Sequence, residues 1–390
     1  MKDKEIEKLI SQEKKRQRGV VNLIPSENYE SEDVLKALGS VLDNKYAEGY
    51  PHKRYYGGQT YTDKVEDLAR ERALKLFKLA PKKWSVNVQP LSGSPANLAV
   101  YLAVVPLGGK IMGMSLTNGG HLTHGQKVSM TGKVWQQIAY GVDSKSEVVN
   151  YIELEKLARK EKPALIVCGY TAYPRIVDFK KFRKIADACG ALLMVDMSHF
   201  AGLVAGEAYP SPFPYADIIT TTTHKTLRGP RGAMIFSKID SRELNKKIDK
   251  AVFPGLQGGP HMSQIAAIAV ALKEASNPNF KKYAKQVIKN AQALANELMR
   301  LGWKVVSGGT DSHLVLVDTW MGGAGISGTE AEARLERGGI ICNKNTIPGE
   351  TRSPFDPSGI RLGSPAETTR GKKEKDMIKI ARKIDAILRK

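Results

Sequence analysis

Between residues 85 and 237 short, almost wholly apolar runs recur at Ser85–Val88, Lys110–Met114, Ala164–Cys168, Leu192–Val195, Ile218–Thr223 and Ala233–Ser237. Helical patterns separate several of them, at Ala96–Val104, Leu154–Lys160 and Phe179–Ala188. Strands buried on both faces read as continuous apolar runs, and helical connections let successive strands lie parallel. The alternation therefore predicts an α/β fold, with a largely parallel sheet covered by helices on both sides. Only Leu227–Gly232 separates the last two runs. That spacing predicts a hairpin and makes the sheet mixed.

The pattern changes after Gly259. A long helical stretch, Met262 to Arg300, is interrupted near Asn277-Pro278. Strand-like pieces follow at Lys304–Val306, Leu314–Asp318 and Ile340–Asn343, then a Gly/Pro-rich segment from Pro348 to Gly363. This reads as a smaller α+β unit. Both chain ends read as amphipathic helices, with Ile6, Leu9 and Ile10 at the start and Ile380, Ile384, Ile387 and Leu388 at the end.

The chain of 390 residues carries a formal charge of +20. Charge of that sign points to nucleic acid, an anionic membrane surface or an anionic small molecule. No apolar run approaches the roughly 20 residues that span a bilayer. The acidic residues among Met1–Arg18 fit neither a secretory signal nor a mitochondrial presequence. Cys168, Cys189 and Cys342 form no CxxC pair, which argues against a disulfide framework or structural zinc and for a cytoplasmic location. No metal site is expected. Neither an RNP-like aromatic motif nor a KH-type GxxG context is present, so nucleic acid is not the expected partner.

Three segments carry chemistry. Thr220–Thr223 leads into His224-Lys225 and a basic Gly/Pro turn. A lysine at a strand end, partly desolvated, has a lowered pKa and forms a Schiff base with an aldehyde. Asp196 ends the run Leu192–Val195, where a carboxylate pairs with the ring nitrogen of a pyridoxal cofactor. His199, three residues on, packs on that cofactor or holds Asp196. Ser92-Gly93-Ser94-Pro95 opens a helix after a strand, so its backbone N–H groups cradle an anion. These elements occur in the order expected of an aspartate-aminotransferase-like pyridoxal phosphate domain, each at a strand end where open α/β sheets hold ligands.

The sequence closely resembles the serine hydroxymethyltransferase family. The blocks that carry the resemblance run over nearly the whole chain. They include LIPSENY (Leu23–Tyr29), KYAEGYPHKRYYGG (Lys45–Gly58), NVQPLSGSPAN (Asn87–Asn97) and GGHLTHG (Gly119–Gly125). VDMSHFAGLVA (Val195–Ala205), TTTTHKTLRGPRG (Thr220–Gly232), VFPGLQGGP (Val252–Pro260), VSGGTDSHL (Val306–Leu314) and SPFDPSGIRLGSPA (Ser353–Ala366) continue the series. The resemblance implies a fold type I enzyme with a mostly parallel seven-stranded sheet. It implies an N-terminal helical arm (1–25), a pyridoxal phosphate domain (26–260) and a small C-terminal α+β domain (261–390). Its activity would convert L-serine and a reduced pterin to glycine and a methylene-pterin. A pterin-independent aldolase acting on β-hydroxy amino acids is the alternative.

The resemblance further implies residue roles. Lys225 would take pyridoxal 5'-phosphate covalently, Asp196 would pair with its ring nitrogen and His121 would stack on the ring. Gly93 and Ser94 would hold the phosphate, joined from the partner of an obligate homodimer by Tyr46, Gly258 and Gly259. Thr171 would stand near the phenolic oxygen, His199 would contact the cofactor and His224 would bear on specificity. Arg231 would orient the lysine, and Arg361 would clamp the amino-acid carboxylate with help from Ser26. Glu48 would be the acid/base group, with Tyr55 and Tyr56 close by. The pterin, tetrahydrofolate or tetrahydromethanopterin, is expected near Leu116, Gly120, His121, Leu122, Ser353, Pro354 and Phe355. Ala233 and Ser364 stand where relatives usually have Gly and Thr.

Overall fold

The computed structural model describes residues 1–390. Seven strands form the central sheet. They are β1 (Trp84–Asn87), β2 (Lys110–Met114), β3 (Gln136–Tyr140), β4 (Leu165–Gly169), β5 (Leu192–Asp196), β6 (Ile218–Thr222) and β7 (Ala233–Lys238). Their spatial order is β1-β7-β6-β5-β4-β2-β3. The run from β6 through β3 is parallel. β7 lies antiparallel to both β6 and β1, so the short 227–232 connection does make a hairpin.

Side chains along the inner strands alternate between two apolar clusters. Leu165, Val167 and Met194 join one, with Ala96, Val100 and Tyr101 of α3 (Gly93–Val104). Ile166, Cys168, Leu193 and Val195 join the other. A period of two with both faces covered is what continuous apolar strands require. The edge strand β3, whose residues QQIAY are exposed or half-exposed except Tyr140, has no such signal, and the apolar runs did not reveal it.

The long helical stretch divides where Asn277-Pro278 predicted. One helix covers Met262–Ala275 and the next, α7 (Pro278–Arg300), starts with the Asn277 side chain accepting from the Asn279 N–H. The first packs on Thr60–Leu76 and Glu32–Leu38; Met262, Ile265, Ile268 and Leu272 lie in the large cluster, whereas Ala267 and Ala271 pack with Val34. α7 crosses between cores. Phe280, Ala284 and Val287 sit in the large cluster, whereas Leu294 and Leu298 sit in a second one. There they meet a four-stranded sheet of β8 (Lys304–Val305), β9 (Leu314–Asp318), β10 (Asn343–Asn345) and β11 (Gly359–Gly363), in the order β8-β9-β11-β10. β11 lies inside the stretch read as a Gly/Pro-rich segment.

The two terminal helices differ. Ile380, Ile384 and Leu388 of Glu374–Leu388 are buried in the small core, but Lys4–Gly19 buries none of its residues. Ile6, Leu9 and Ile10 stay exposed. No helix is long and apolar enough to cross a membrane.

Candidate active site

The carboxyl ends of the parallel strands converge on one cavity. Asp196 ends β5, and Gly169, ending β4, leads into Tyr170 and Thr171. Thr222 ends β6 and Lys225 follows in the hairpin turn. Together with Ser92, Gly93, Ser94, Asn97, His121, Ser198, His199, His224 and Arg231 they line a cavity of about 150 Å³. The predicted lysine, carboxylate and helix start thus meet, although 132 residues of chain separate the first of them from the last.

Lys225 Nζ donates to Thr222 Oγ1 at 3.0 Å. Burial disfavours its charged form and brings its pKa from 10.5 down to about 8. Asp196 partly offsets the fall, while Arg361 and Arg231 add to it. The Asp196 carboxylate is buried, which by itself would raise its pKa. Hydrogen bonds from His124, Ser198 and Asn97 outweigh burial and hold it well below the ordinary range. Asn97 Nδ2 (2.9 Å) and His124 Nε2 (3.1 Å) both reach Oδ2, and the Ser198 N–H reaches Oδ1 at 3.1 Å.

The second option weighed for His199, holding Asp196, is therefore corrected. His199 Nδ1 instead faces His313 Nε2 at 3.1 Å, the two rings stacked. Burial pushes His313 down to about 3 and His199 well below 6.5. His124, Asn97 and His313 are site residues that carried no assigned role from sequence. Each lies in a block quoted above, NVQPLSGSPAN, GGHLTHG or VSGGTDSHL, but no role was attached to it. Burial also lowers His121 to about 4 and His224 to about 3.

Arg361 lies in the middle of β11 and is itself buried. Its Nη1 donates to the Thr171 carbonyl at 2.8 Å and its Nε to Asn343 Oδ1 at 3.1 Å. This ties the small sheet to the cavity wall and leaves Nη2 for an anion. Ser26 follows Pro25, which packs against Gly363 at the end of the same strand.

The remaining predicted residues do not line this cavity. Tyr46, Gly258 and Gly259 border a separate hollow with Asp43, Asn44, Lys45, Pro260 and His261. A Cβ built on Gly258 would stand 3.2 Å from Glu48 Oε1, so Glu48 belongs to the same face. Tyr46, Tyr56 and Tyr55 form an edge-to-face chain with ring centres 5.3 Å apart, and all three are exposed, Tyr55 by 81%. Leu116 and Leu122 sit in two short 3-10 turns flanking Gly120. Ser353, Pro354 and Phe355 form an exposed loop.

The cavity has the donor set for pyridoxal phosphate. Ser92 caps α3 without a side-chain hydrogen bond, so the first-turn N–H groups stay open for an anion. A Cβ on Gly93 would come within 2.7 Å of Thr222 Cγ2, so any larger residue would crowd this cradle. His224 Nδ1 is buried without a partner. An ionised carboxylate, a low-pKa amine and an open helix start match a basic ring nitrogen, an aldehyde and a phosphate.

Residues 1–384 match the serine hydroxymethyltransferase family. A serine hydroxymethyltransferase of Desulfotalea psychrophila (strain LSv54 / DSM 12343) is 54% identical over 386 residues, 99% of this chain and 88% of that protein.

Proposed function

The chain belongs to the serine hydroxymethyltransferase family, and on that premise we propose how its residues interconvert L-serine and glycine. One observation carries the reading: a Lys225 amine lowered to about 8, an ionised Asp196 and an open helix start line a single cavity. Bound there, pyridoxal phosphate supplies an electron-accepting ring that stabilises negative charge at the amino acid's Cα. Lys225 would hold it covalently, and Asp196 would keep the ring nitrogen protonated. Gly93 and Ser94 would hold the phosphate, His121 would cover the ring, Thr171 would stand near the phenolic oxygen and His199 would contact the cofactor. Arg361 offers the amino-acid carboxylate a planar fork of donors, with Ser26 beside it. Arg231 and His224 flank Lys225: the Arg231 guanidinium helps lower the amine's pKa, whereas His224, itself lowered to about 3 chiefly by burial, stays neutral beside it.

Glu48 is the group assigned to the serine hydroxyl proton. It lies beside Gly258, on the face of Tyr46 and Gly259, and does not line the Lys225 cavity of its own chain. That separation supports a homodimer in which this face completes the partner's site. The reduced pterin, tetrahydrofolate or tetrahydromethanopterin, is assigned to Leu116, Gly120–Leu122 and Ser353–Phe355. Three free cysteines support a reducing, cytoplasmic setting.

The test is glycine release from serine with tetrahydrofolate, with tetrahydromethanopterin and with neither. Release should depend on one of the pterins. Equal rates without any pterin would return the chain to the aldolase reading, which the family match does not favour.

A further inference from the structure

His124 is fully buried, at 0% exposure, in the turn that follows β2. Its main chain lies so close to β2 that a Cβ on Gly113 would stand 2.5 Å from the His124 carbonyl oxygen. That oxygen accepts from Gln137 Nε2 at 3.1 Å. The residue is thus fixed from both sides before its ring is considered.

The ring has one possible proton arrangement. The backbone N–H of His121 donates to His124 Nδ1 at 3.2 Å, so Nδ1 carries a lone pair and no proton. The single ring proton therefore sits on Nε2, which faces Asp196 Oδ2 at 3.1 Å. A main-chain amide, which cannot change its own polarity, thus sets the direction of the bond to the carboxylate. Asn97 gives Oδ2 its second donor. Oδ1 receives only the Ser198 N–H and so keeps a lone pair for a ring N–H.

The same amide belongs to His121, whose ring lines the cavity. His121 Nδ1 is occupied in turn by Thr123, through its N–H at 3.1 Å and its hydroxyl at 2.7 Å. One buried imidazole therefore sits between the residue that would cover the cofactor ring and the residue that would pair with its nitrogen.

We propose that His124 is a positioning residue: it fixes the Asp196 carboxylate and the His121 main chain together, and so registers the cofactor's ring nitrogen and ring face at once. This rests on the reading that pyridoxal phosphate occupies the Lys225 cavity. Outer partners of this kind orient the groups that touch a cofactor, as they do around metals.

The test uses the full-length apoprotein and equilibrium binding of two ligands. One is pyridoxal phosphate; the other is its analogue with the ring nitrogen replaced by C–H. The wild type should prefer pyridoxal phosphate. His124→Leu should reduce that preference about tenfold, the factor expected for one lost hydrogen bond to a charged group. His124→Gln places an amide N–H about where Nε2 stood but offers no acceptor to the His121 N–H. It should keep the preference while binding both ligands severalfold more weakly. His124→Leu binding both ligands weaker by one common factor would reduce the residue to packing and overturn the proposal. Should the leucine variant not fold, loss of preference in His124→Gln overturns it equally. A wild type that binds neither ligand would instead refute the cavity reading itself, a separable outcome.

Discussion

Replacing Lys225 with Met should stabilise the apoprotein near neutral pH. In the folded chain the amine titrates at about 8, against about 10.4 in an unfolded chain. Below pH 8 the amine is charged in both states, and the folded state bears the whole cost of burying it. At 1.36 kcal/mol per unit that cost is about 3 kcal/mol. It is relieved as pH rises from about 8 towards 10.5, because the folded chain has shed a proton the unfolded chain still holds. Met removes the charge but also loses the 3.0 Å hydrogen bond to Thr222, worth about 1 kcal/mol. The variant should therefore be more stable by about 2 kcal/mol at pH 7, and by almost nothing at about pH 9.5. Paired urea midpoints of the two apoproteins across that range provide the measurement. A gap that does not change with pH would refute the burial argument. A wild type more stable at pH 7 would show that the lysine is solvated rather than held ready to react.

Two further outcomes follow from the same geometry. Arg361→Ala should weaken serine binding by about a hundredfold or more, the loss expected when one partner of a buried charged pair is truncated. Cofactor affinity should change little, because Arg361 reaches the cavity wall through the Thr171 carbonyl; serine titrations of the loaded protein would show it, and unchanged serine affinity would remove the clamp role. On the proposed shared-site homodimer, mixing Lys225→Ala with Glu48→Gln protomers should restore about a quarter of wild-type activity from two inactive proteins, since half the dimers would be mixed and each would have one intact site. No recovery after subunit exchange would place Glu48 in its own chain's site or in none.

What was legible in the sequence follows from local physics. The inner strands are buried on both faces, so they read as apolar runs, and Asn277-Pro278 breaks a helix for reasons confined to two residues. Asp196 stood out because it ends such a run, and Lys225 because it follows one by two residues. Gln136–Tyr140 escaped notice because an edge strand with half-exposed residues has no apolar run to read. Gly359–Gly363 escaped because Arg361 interrupts a short apolar pattern among glycines and prolines, although every residue of that strand is buried. The support around Asp196 was legible only as membership of two blocks, not as contact. Its partners Asn97 and His124 lie 99 and 72 residues away along the chain, and only the folded sheet brings them together. The exposed Tyr46–Tyr56 face is a similar case, since one chain alone does not say what it meets.

Helix α7, with 23 residues, is a rod of about 35 Å whose two ends are embedded in different cores. Arg361 Nη1 and Thr171, His199 and His313, and Arg175 and Asp311 act as cross-braces between the same two bodies. A beam clamped at both ends and braced along its span transmits displacement rather than absorbing it. The small unit is therefore not expected to swing like a hinged jaw. On the proposed carboxylate role, Arg361 is then held in place by Asn343 and the Thr171 carbonyl before any ligand arrives.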